Sequence, residues 1–214
     1  FLPSDDYKGT ILANGIAAFD WQASAKHDNF TKLAANMVDY MLTKTSTVPE
    51  VSVGTKVGML KIESGISTTE QKAIAWFSNK YTSDNVITSL DKLSDYKVLW
   101  VMIDRPGLAQ GVSNLPLTST QIETLKAWVK KGGNLLVTNH ATQLVQAIGR
   151  YDKAIGVYGS GAQSEKADIW GIGVLGASGH EIYKILTTLG GYIPLIKPGL
   201  KWDHNCIWNG IDQN

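Results

Sequence analysis

From residue 51 onward, short apolar segments alternate with amphipathic segments, and this order limits the folds that the chain can adopt. Residues 96–104, YKVLWVMID, form the most hydrophobic run and predict a central strand. Further strands are predicted at residues 56–62, 85–90 and 134–138. Because helical patterns separate these strands, right-handed crossovers and a parallel sheet covered on both faces are favoured. The sequence therefore predicts an α/β fold, a three-layer sandwich around a mainly parallel sheet.

The predicted helices carry start and stop signals. Thr68 followed by Gln71 offers a capping box for a helix in residues 67–81, and Thr118 with Gln121 repeats the pattern for residues 117–133. The pair Gly132-Gly133 ends that second helix. Another helix is predicted at residues 141–150, and the apolar spacing in residues 179–189 suits a short one.

The first 45 residues form a strand-helix unit of their own. Residues 9–19 predict a strand, and residues 29–42 predict an amphipathic helix with Asp28 or Asn29 as its N-cap. A unit of 45 residues is too small to stand alone, so residues 1–45 are expected to complete the main sheet. Residues 46–55 read as a linker rich in Thr, Ser and Val, and residues 56–214 as the main α/β domain. The expectation is one structural domain in total.

Charge and cysteine content exclude several classes of function. The net charge is +1 and the Lys and Arg residues are scattered, which argues against nucleic acid or an anionic membrane as the main partner. A single cysteine, Cys206, rules out an internal disulfide and a cysteine-based zinc site. No apolar run approaches the roughly 20 residues that a transmembrane helix needs. The opening residues FLPSDDYKG are not a signal peptide and do not begin with a start methionine, so the chain is expected to be a processed or excised piece.

Residues 132–149, GGNLLVTNHATQLVQAIG, combine a strand, a sharp turn and a helix. With the helix before it, this stretch resembles the class I glutamine amidotransferase-like superfamily, whose elbow pattern is roughly Gly-x-Cys-x-Gly-x-Gln. When Gln143 is matched to the Gln of that pattern, Asn139 takes the place of the nucleophilic cysteine and Ala141 replaces the second glycine. The resemblance implies a flavodoxin-like sheet, and the departure from the pattern implies that the catalytic cysteine is absent.

A closer resemblance is to an uncharacterised domain family of exported proteins from glycan-utilisation loci of gut bacteria. It is carried by residues 96–104 and by four further stretches, and it covers most of residues 56–208. These four are GGNLLVTNHATQLVQAIGR, GHEIY, YIPLIKPGL and DHNCIW. The resemblance implies an extracellular or outer-surface location and a carbohydrate or another surface protein as partner. In such folds the strand and helix of residues 1–45 close the domain, so the chain is either circularly permuted or cut from a tandem array.

Polar residues follow the predicted strands, where ligands bind in an open parallel sheet. Glu63 and Ser64 follow the first strand of the main domain. The candidate ligand-binding residues are Asp104, Arg105, Asn139, His140, Gln143, His180, Trp202, Asp203, His204 and Trp208. Asp104 and Arg105 could equally form an ion pair that holds a loop. The C-terminal tryptophans could stack on sugar rings or cover the open edge of the sheet.

The sequence predicts no catalytic residue, no metal and no cofactor. Acyl transfer needs a nucleophile at the elbow, and Asn139 is not one. Cys206 lies outside any elbow pattern, and GIGVLG (residues 171–176) lacks the spacing of a dinucleotide fingerprint. The histidines do not show the close spacing that predicts a zinc site. Trp76, Trp100 and Trp128 lie within periodic elements and are expected in the core.

Three functions remain open. The preferred one is a non-catalytic glutamine amidotransferase-like domain of a surface glycan-utilisation protein that binds carbohydrate or a partner protein. The second is a hydrolase that acts on a carbohydrate derivative through His and Asp groups at the strand ends. The third is a structural spacer.

Overall fold

A computed structural model describes residues 6–15, 19, 21–22, 26–44, 54–105, 108, 111–152, 157–160, 170–173, 179–188, 192–196 and 204–206. The predicted linker at residues 46–55 lies outside these ranges except for its last two residues. Among the described helices, none is both long and apolar enough to cross a bilayer.

Five parallel strands form the central sheet. They are β1 (Ile11–Asn14), β2 (Lys56–Leu60), β3 (Val86–Ile87), β4 (Tyr96–Ile103) and β5 (Asn134–Asn139). Their order is β1-β5-β4-β2-β3. If β1 is counted last, this is the order 2-1-3-4-5 of flavodoxin-like sheets. The predicted fold class is confirmed, with the strand that closes the sheet placed first in the chain.

In the part of the chain that the structure describes, four α-helices accompany the sheet. They are α1 (Asn29–Thr43), α2 (Thr68–Lys80), α3 (Ser119–Lys130) and α4 (Leu144–Ala147). Antiparallel pairs lie beyond the main sheet: β6 (Val157–Ser160) pairs with β9 (His204–Cys206), and β7 (Trp170–Gly173) with β8 (Tyr192–Ile196).

The inner strands β4 and β5 are buried on both faces, which gives the three layers. On β4, Trp100 lies in the apolar cluster of α1 and α2, whereas Leu99 and Val101 lie in the cluster of α3 and α4. The alternation follows from the two-residue period of a strand. As predicted, Trp100 and Trp128 are buried, and Trp76 packs against the first cluster.

Asn134 joins three elements at the amino ends of the strands. Its Nδ2 donates to the carbonyl oxygens of Met41 at 3.0 Å and Lys44 at 3.2 Å. Its Oδ1 accepts from the backbone N–H of Thr10 at 2.9 Å. Since Asn134 begins β5 and Met41 lies in the last turn of α1, the helix runs antiparallel to the strands and ends at their amino edge.

Two asparagines of α1 anchor the segment after residue 179. Asn29 Nδ2 donates to the carbonyl oxygens of Thr187 at 2.7 Å and Pro194 at 3.0 Å, and its Oδ1 accepts from the Thr187 N–H at 2.8 Å. Asn36 Nδ2 donates to the carbonyl oxygens of Ile182 at 2.9 Å and Lys184 at 2.8 Å. Asn29 and Asn36 are seven residues apart, so they lie on the same face of the helix.

The capping box of α2 differs from the prediction. Ser67 and Glu70 form it, not Thr68 and Gln71: the Glu70 N–H donates to Ser67 Oγ at 3.1 Å, and the Ser67 N–H donates to Glu70 Oε2 at 2.8 Å. Both pairs fit the three-residue spacing. The prediction was wrong because the choice depends on Arg105, a distant residue that also binds Glu70.

The other helix starts agree only in part. The box of Thr118 and Gln121 is confirmed. For α1, Asp28 precedes the helix without a side-chain capping bond, and the N–H of Asn29 donates to His27 Nδ1 at 3.1 Å.

Several predicted elements are shorter than expected. The strand predicted at residues 85–90 is the two-residue β3, and the helix predicted at residues 141–150 is a 3-10 turn at His140–Gln143 followed by the single turn of α4. Within the predicted segment 179–189, the described residues 179–188 contain one 3-10 turn, Glu181–Tyr183. The spacing of apolar residues cannot reveal the hydrogen bonds that the Asn36 amide donates to the carbonyl oxygens of Ile182 and Lys184. These bonds hold the segment as a turn.

Candidate functional site

The elbow after β5 is held in a strained conformation at Asn139. This residue has φ 57° and ψ −132°, and a 3-10 turn and α4 follow it directly. A non-glycine residue rarely adopts such angles, and the strain costs on the order of 1–3 kcal/mol. A strand, a strained residue and a helix in this order form the local arrangement in which hydrolases present a nucleophile.

The side-chain amide of Asn139 binds within the protein. Its Nδ2 donates to the backbone oxygen of Phe19 at 3.1 Å and to Oδ2 of Asp104 at 3.1 Å. Its Oδ1 is buried without a hydrogen-bond partner in the described ranges of the chain. Asn139 therefore connects the end of β5 with the end of β4 and with the segment after β1.

Asp104 and His140 form a second contact at the same point. Nδ1 of His140 lies 3.7 Å from Oδ1 of Asp104, which is an ion pair only when the imidazole is protonated. Both side chains are buried, with 1% of Asp104 and 3% of His140 exposed. A carboxylate beside an imidazole is a common general-base arrangement, but this pair lies inside the polar cluster and not on an open surface.

Gln143 fixes the far side of the elbow. Its Oε1 accepts from the backbone N–H of Gly111 at 2.6 Å, while its Nε2 is buried without a hydrogen-bond partner. The hydroxyl of Thr142 donates to the carbonyl oxygen of Asn139 at 2.8 Å. These bonds tie the turn to itself and to the loop that precedes α3.

Arg105 forms an ion pair with Glu70, whereas the ion pair that the sequence offered was with Asp104. Its Nε lies 3.1 Å from Oε1 of Glu70, and the side chains are 12% and 4% exposed. The guanidinium also donates to the carbonyl oxygens of Ser64 and Ile62, the latter at 3.1 Å. Arg105 therefore holds the loop that follows β2 against the start of α2.

Glu70 is the residue of this cluster that the sequence reasoning missed. Its Oε1 accepts from the N–H of Asp104 at 3.1 Å as well as from Arg105, and its Oε2 accepts from Ser67. The available signal was the Ser-x-x-Glu spacing of Ser67 and Glu70, which predicts a helix start but not a role for Glu70 beyond the helix.

An open cleft lies at the carboxyl ends of β2 and β3, with a volume of about 460 Å³. We call it the strand-end cleft and define it by residues 60–64, Thr88, residues 115–118 and Gln121, which line it. None of the elbow residues lines the cleft. Glu63 and Ser64, which the sequence placed at a strand end, form part of its wall.

Of the remaining candidate residues, His180 is not brought to the elbow. His180 lies against Tyr40 of α1, with ring centroids 4.8 Å apart. Because Tyr40 belongs to the end of α1 that reaches the amino edge of the sheet, His180 lies toward the edge opposite the elbow. Trp202, Asp203 and Trp208 lie outside the described residues, and His204 is described only as backbone in β9.

The arrangement of acidic residues and histidines bears on metal binding. In the part of the chain that the structure describes, no three His, Cys, Asp or Glu side chains are grouped closely enough to hold a metal ion. Asp104 and His140 are two side chains of this kind at the elbow, and a protein zinc site uses at least three.

Comparison of the chain with protein-family models, curated proteins and solved structures finds no match. The fold is therefore shown by the strand order and packing alone, and the resemblance of the elbow to the amidotransferase pattern stays a hypothesis.

Proposed function

We propose that this chain is a non-catalytic glutamine amidotransferase-like domain of a surface glycan-utilisation protein, and that it binds carbohydrate or a partner protein at the carboxyl edge of its sheet. The observation that supports the proposal is that an asparagine, Asn139, stands at the strained position between β5 and the following helix. An acyl-transfer enzyme needs a thiol or hydroxyl at this position.

The chemistry of an amide supports this assignment. A carboxamide has no nucleophilic lone pair comparable with that of a thiolate, so it cannot form an acyl intermediate. Its nitrogen is engaged with Asp104 and with the backbone of Phe19, which gives the side chain a structural role. The elbow is then a scaffold that positions neighbouring loops.

The ligand class and the location have a different basis. Both are implied by the resemblance of residues 56–208 to domains of exported glycan-utilisation proteins. Binding at the carboxyl edge follows from the general behaviour of open parallel sheets. The strand-end cleft lies on that edge.

The competing function is hydrolysis of a carbohydrate derivative, and the contact between Asp104 and His140 is the observation that favours it. Against it, Oδ2 of Asp104 accepts a hydrogen bond from Asn139, and both members of the pair are buried. A general base must come within hydrogen-bond reach of a substrate proton.

Affinity electrophoresis in gels that contain single polysaccharides tests the proposal. We expect retardation in at least one gel of a panel of fructans, mannans and glucans, and weaker retardation for Trp202→Ala or Trp208→Ala if those rings contact the glycan. If no gel retards the protein, carbohydrate binding is wrong. Turnover of the same glycans that disappears in His140→Ala would establish the hydrolase instead. With neither retardation nor turnover, the spacer role remains.

A further inference from the structure

The strand-end cleft has the size and position of a ligand site. Its volume of about 460 Å³ falls in the range of roughly 300–1,000 Å³ that is usual for small-molecule sites. It opens where β2 and β3 end and where α3 begins. This is the edge at which open parallel sheets bind ligands.

Both walls of the cleft are held by bonds to other parts of the molecule. Arg105 binds the carbonyl oxygens of Ile62 and Ser64 and is itself fixed by the buried carboxylate of Glu70. On the opposite wall, Thr118 and Gln121 form the capping box of α3. A preformed site loses little conformational entropy when a ligand enters.

The cleft carries hydrogen-bonding groups next to an aliphatic surface. The hydroxyl groups belong to Ser64, Thr88 and Thr118, and the amide nitrogen of Gln121 takes no part in the capping box. Leu60, Leu115 and Leu117 are among the apolar lining residues. Among the residues that line the cleft, none is aromatic. Such a surface matches a ligand that has both hydroxyl groups and C–H faces.

The charges of the cleft cancel. Lys61 and Glu63 are its ionisable lining residues, and they form an ion pair with Nζ 3.0 Å from Oε1. A ligand with net charge would meet one attractive and one repulsive group at similar distance. A neutral ligand avoids this cost.

From these observations we infer that the strand-end cleft, and not the elbow, is the ligand site of the domain, and that it takes a neutral, hydroxyl-rich ligand of the size of a short oligosaccharide. The inference rests on the proposed function and specifies where and what the domain binds. Arg105 acts as a positioning residue, because it touches the cleft wall and not the cleft itself.

The test is a titration of the isotope-labelled protein, followed by amide chemical shifts. The probes are neutral fructo- and cello-oligosaccharides, an anionic oligogalacturonate and a cationic chitosan oligomer. We expect a neutral probe to shift the amides of residues 61–64 and 115–121. Thr88→Trp, which fills the cleft from its exposed rim, should weaken binding at least tenfold, and Ser64→Ala about threefold. Thr120→Trp is the matched control, since Thr120 is exposed on α3 outside the cleft.

The possible outcomes distinguish a failure of the cleft inference alone from a failure of carbohydrate binding as a whole. Binding that persists in Thr88→Trp, with shifts elsewhere, overturns the cleft as the site and leaves carbohydrate binding intact. Binding of a charged probe alone overturns the neutral ligand class. If no probe binds and no polysaccharide gel retards the protein, both the inference and carbohydrate binding are overturned.

Discussion

Asn139 donates a hydrogen bond of 3.1 Å to the carboxylate of Asp104, and this bond joins the ends of the two central strands of the sheet. The donor stands at the strained residue of an elbow, and the acceptor is 1% exposed. A buried carboxylate is stable only when donors surround it. The elbow asparagine therefore has a structural task that an acidic or apolar side chain could not perform.

Replacing Asn139 with aspartate tests that task. Asn139→Asp brings a second carboxylate beside Asp104, which we expect to lower the free energy of unfolding by about 3 kcal/mol at about pH 8. Repulsion and burial raise the pKa of one carboxyl of the pair above its unfolded value. Protonation therefore restores stability as the pH falls, and urea denaturation at about pH 5 should show a smaller loss. Asn79→Asp, on the exposed face of α2, is the control. Equal stability of the Asn139→Asp variant and the wild type at high pH would contradict the prediction.

The ion pair of Glu70 and Arg105 should be strongly coupled. Arg105→Met leaves the Glu70 carboxylate buried without its cation and should cost about 3 kcal/mol. The double variant Glu70→Gln/Arg105→Met should cost less than the sum of the single variants, by at least about 1 kcal/mol. Lys126→Met removes the exposed pair with Glu123 and should change stability by less than about 1 kcal/mol. Additive losses in urea denaturation would show that Arg105 acts independently of Glu70.

The anchoring of the segment after residue 179 predicts a proteolysis phenotype. Asn36→Ala removes the hydrogen bonds to the carbonyl oxygens of Ile182 and Lys184, which lowers the local free energy of opening. Trypsin cleavage after the exposed Lys184 should become about tenfold faster, as expected for the loss of roughly 1.4 kcal/mol of local stability. Asn79→Ala is the matched control. Unchanged cleavage in native conditions, measured by mass spectrometry, would mean that other contacts hold the segment.

Tyr81 should make the protein sensitive to alkali. Burial raises the pKa of Tyr81 above its usual 10.0, and the negative charge of Asp39 raises it further. The unfolded chain therefore releases this proton first, so stability is fully present below about pH 10 and is lost as the pH rises above it. Tyr81→Phe should flatten this loss in urea denaturation and leave stability near neutral pH unchanged or slightly higher, because the buried hydroxyl has no hydrogen-bond partner among the described residues. Part of the loss remains, since burial also raises the pKa of Tyr183. An identical alkaline profile in the variant would contradict the prediction.

Many residues of the candidate site could be identified from the sequence, because they follow predicted strands. Asp104 and Asn139 end adjacent parallel strands, so their meeting follows from strand order. The contact of Arg105 with Glu70 was not predictable, because Glu70 lies 35 residues away on a helix whose start was placed one residue too late. The separation of His180 from the elbow was not predictable for a similar reason. It depends on the hydrogen bonds by which the asparagines of α1 anchor the segment after residue 179.

The sequence by itself determined the fold class and the presence of an asparagine at position 139. Continuous apolar runs predict strands of a parallel sheet that is covered on both faces, whatever their order in the chain. Whether residue 139 can attack a carbonyl depends on its identity alone. Only the tertiary structure decided that β1 pairs with β5, that Glu70 caps α2, and that the open cleft is lined by residues outside the elbow. These three features depend on contacts between residues that are far apart in the chain. Local sequence patterns do not show which of several similar residues will form such a contact.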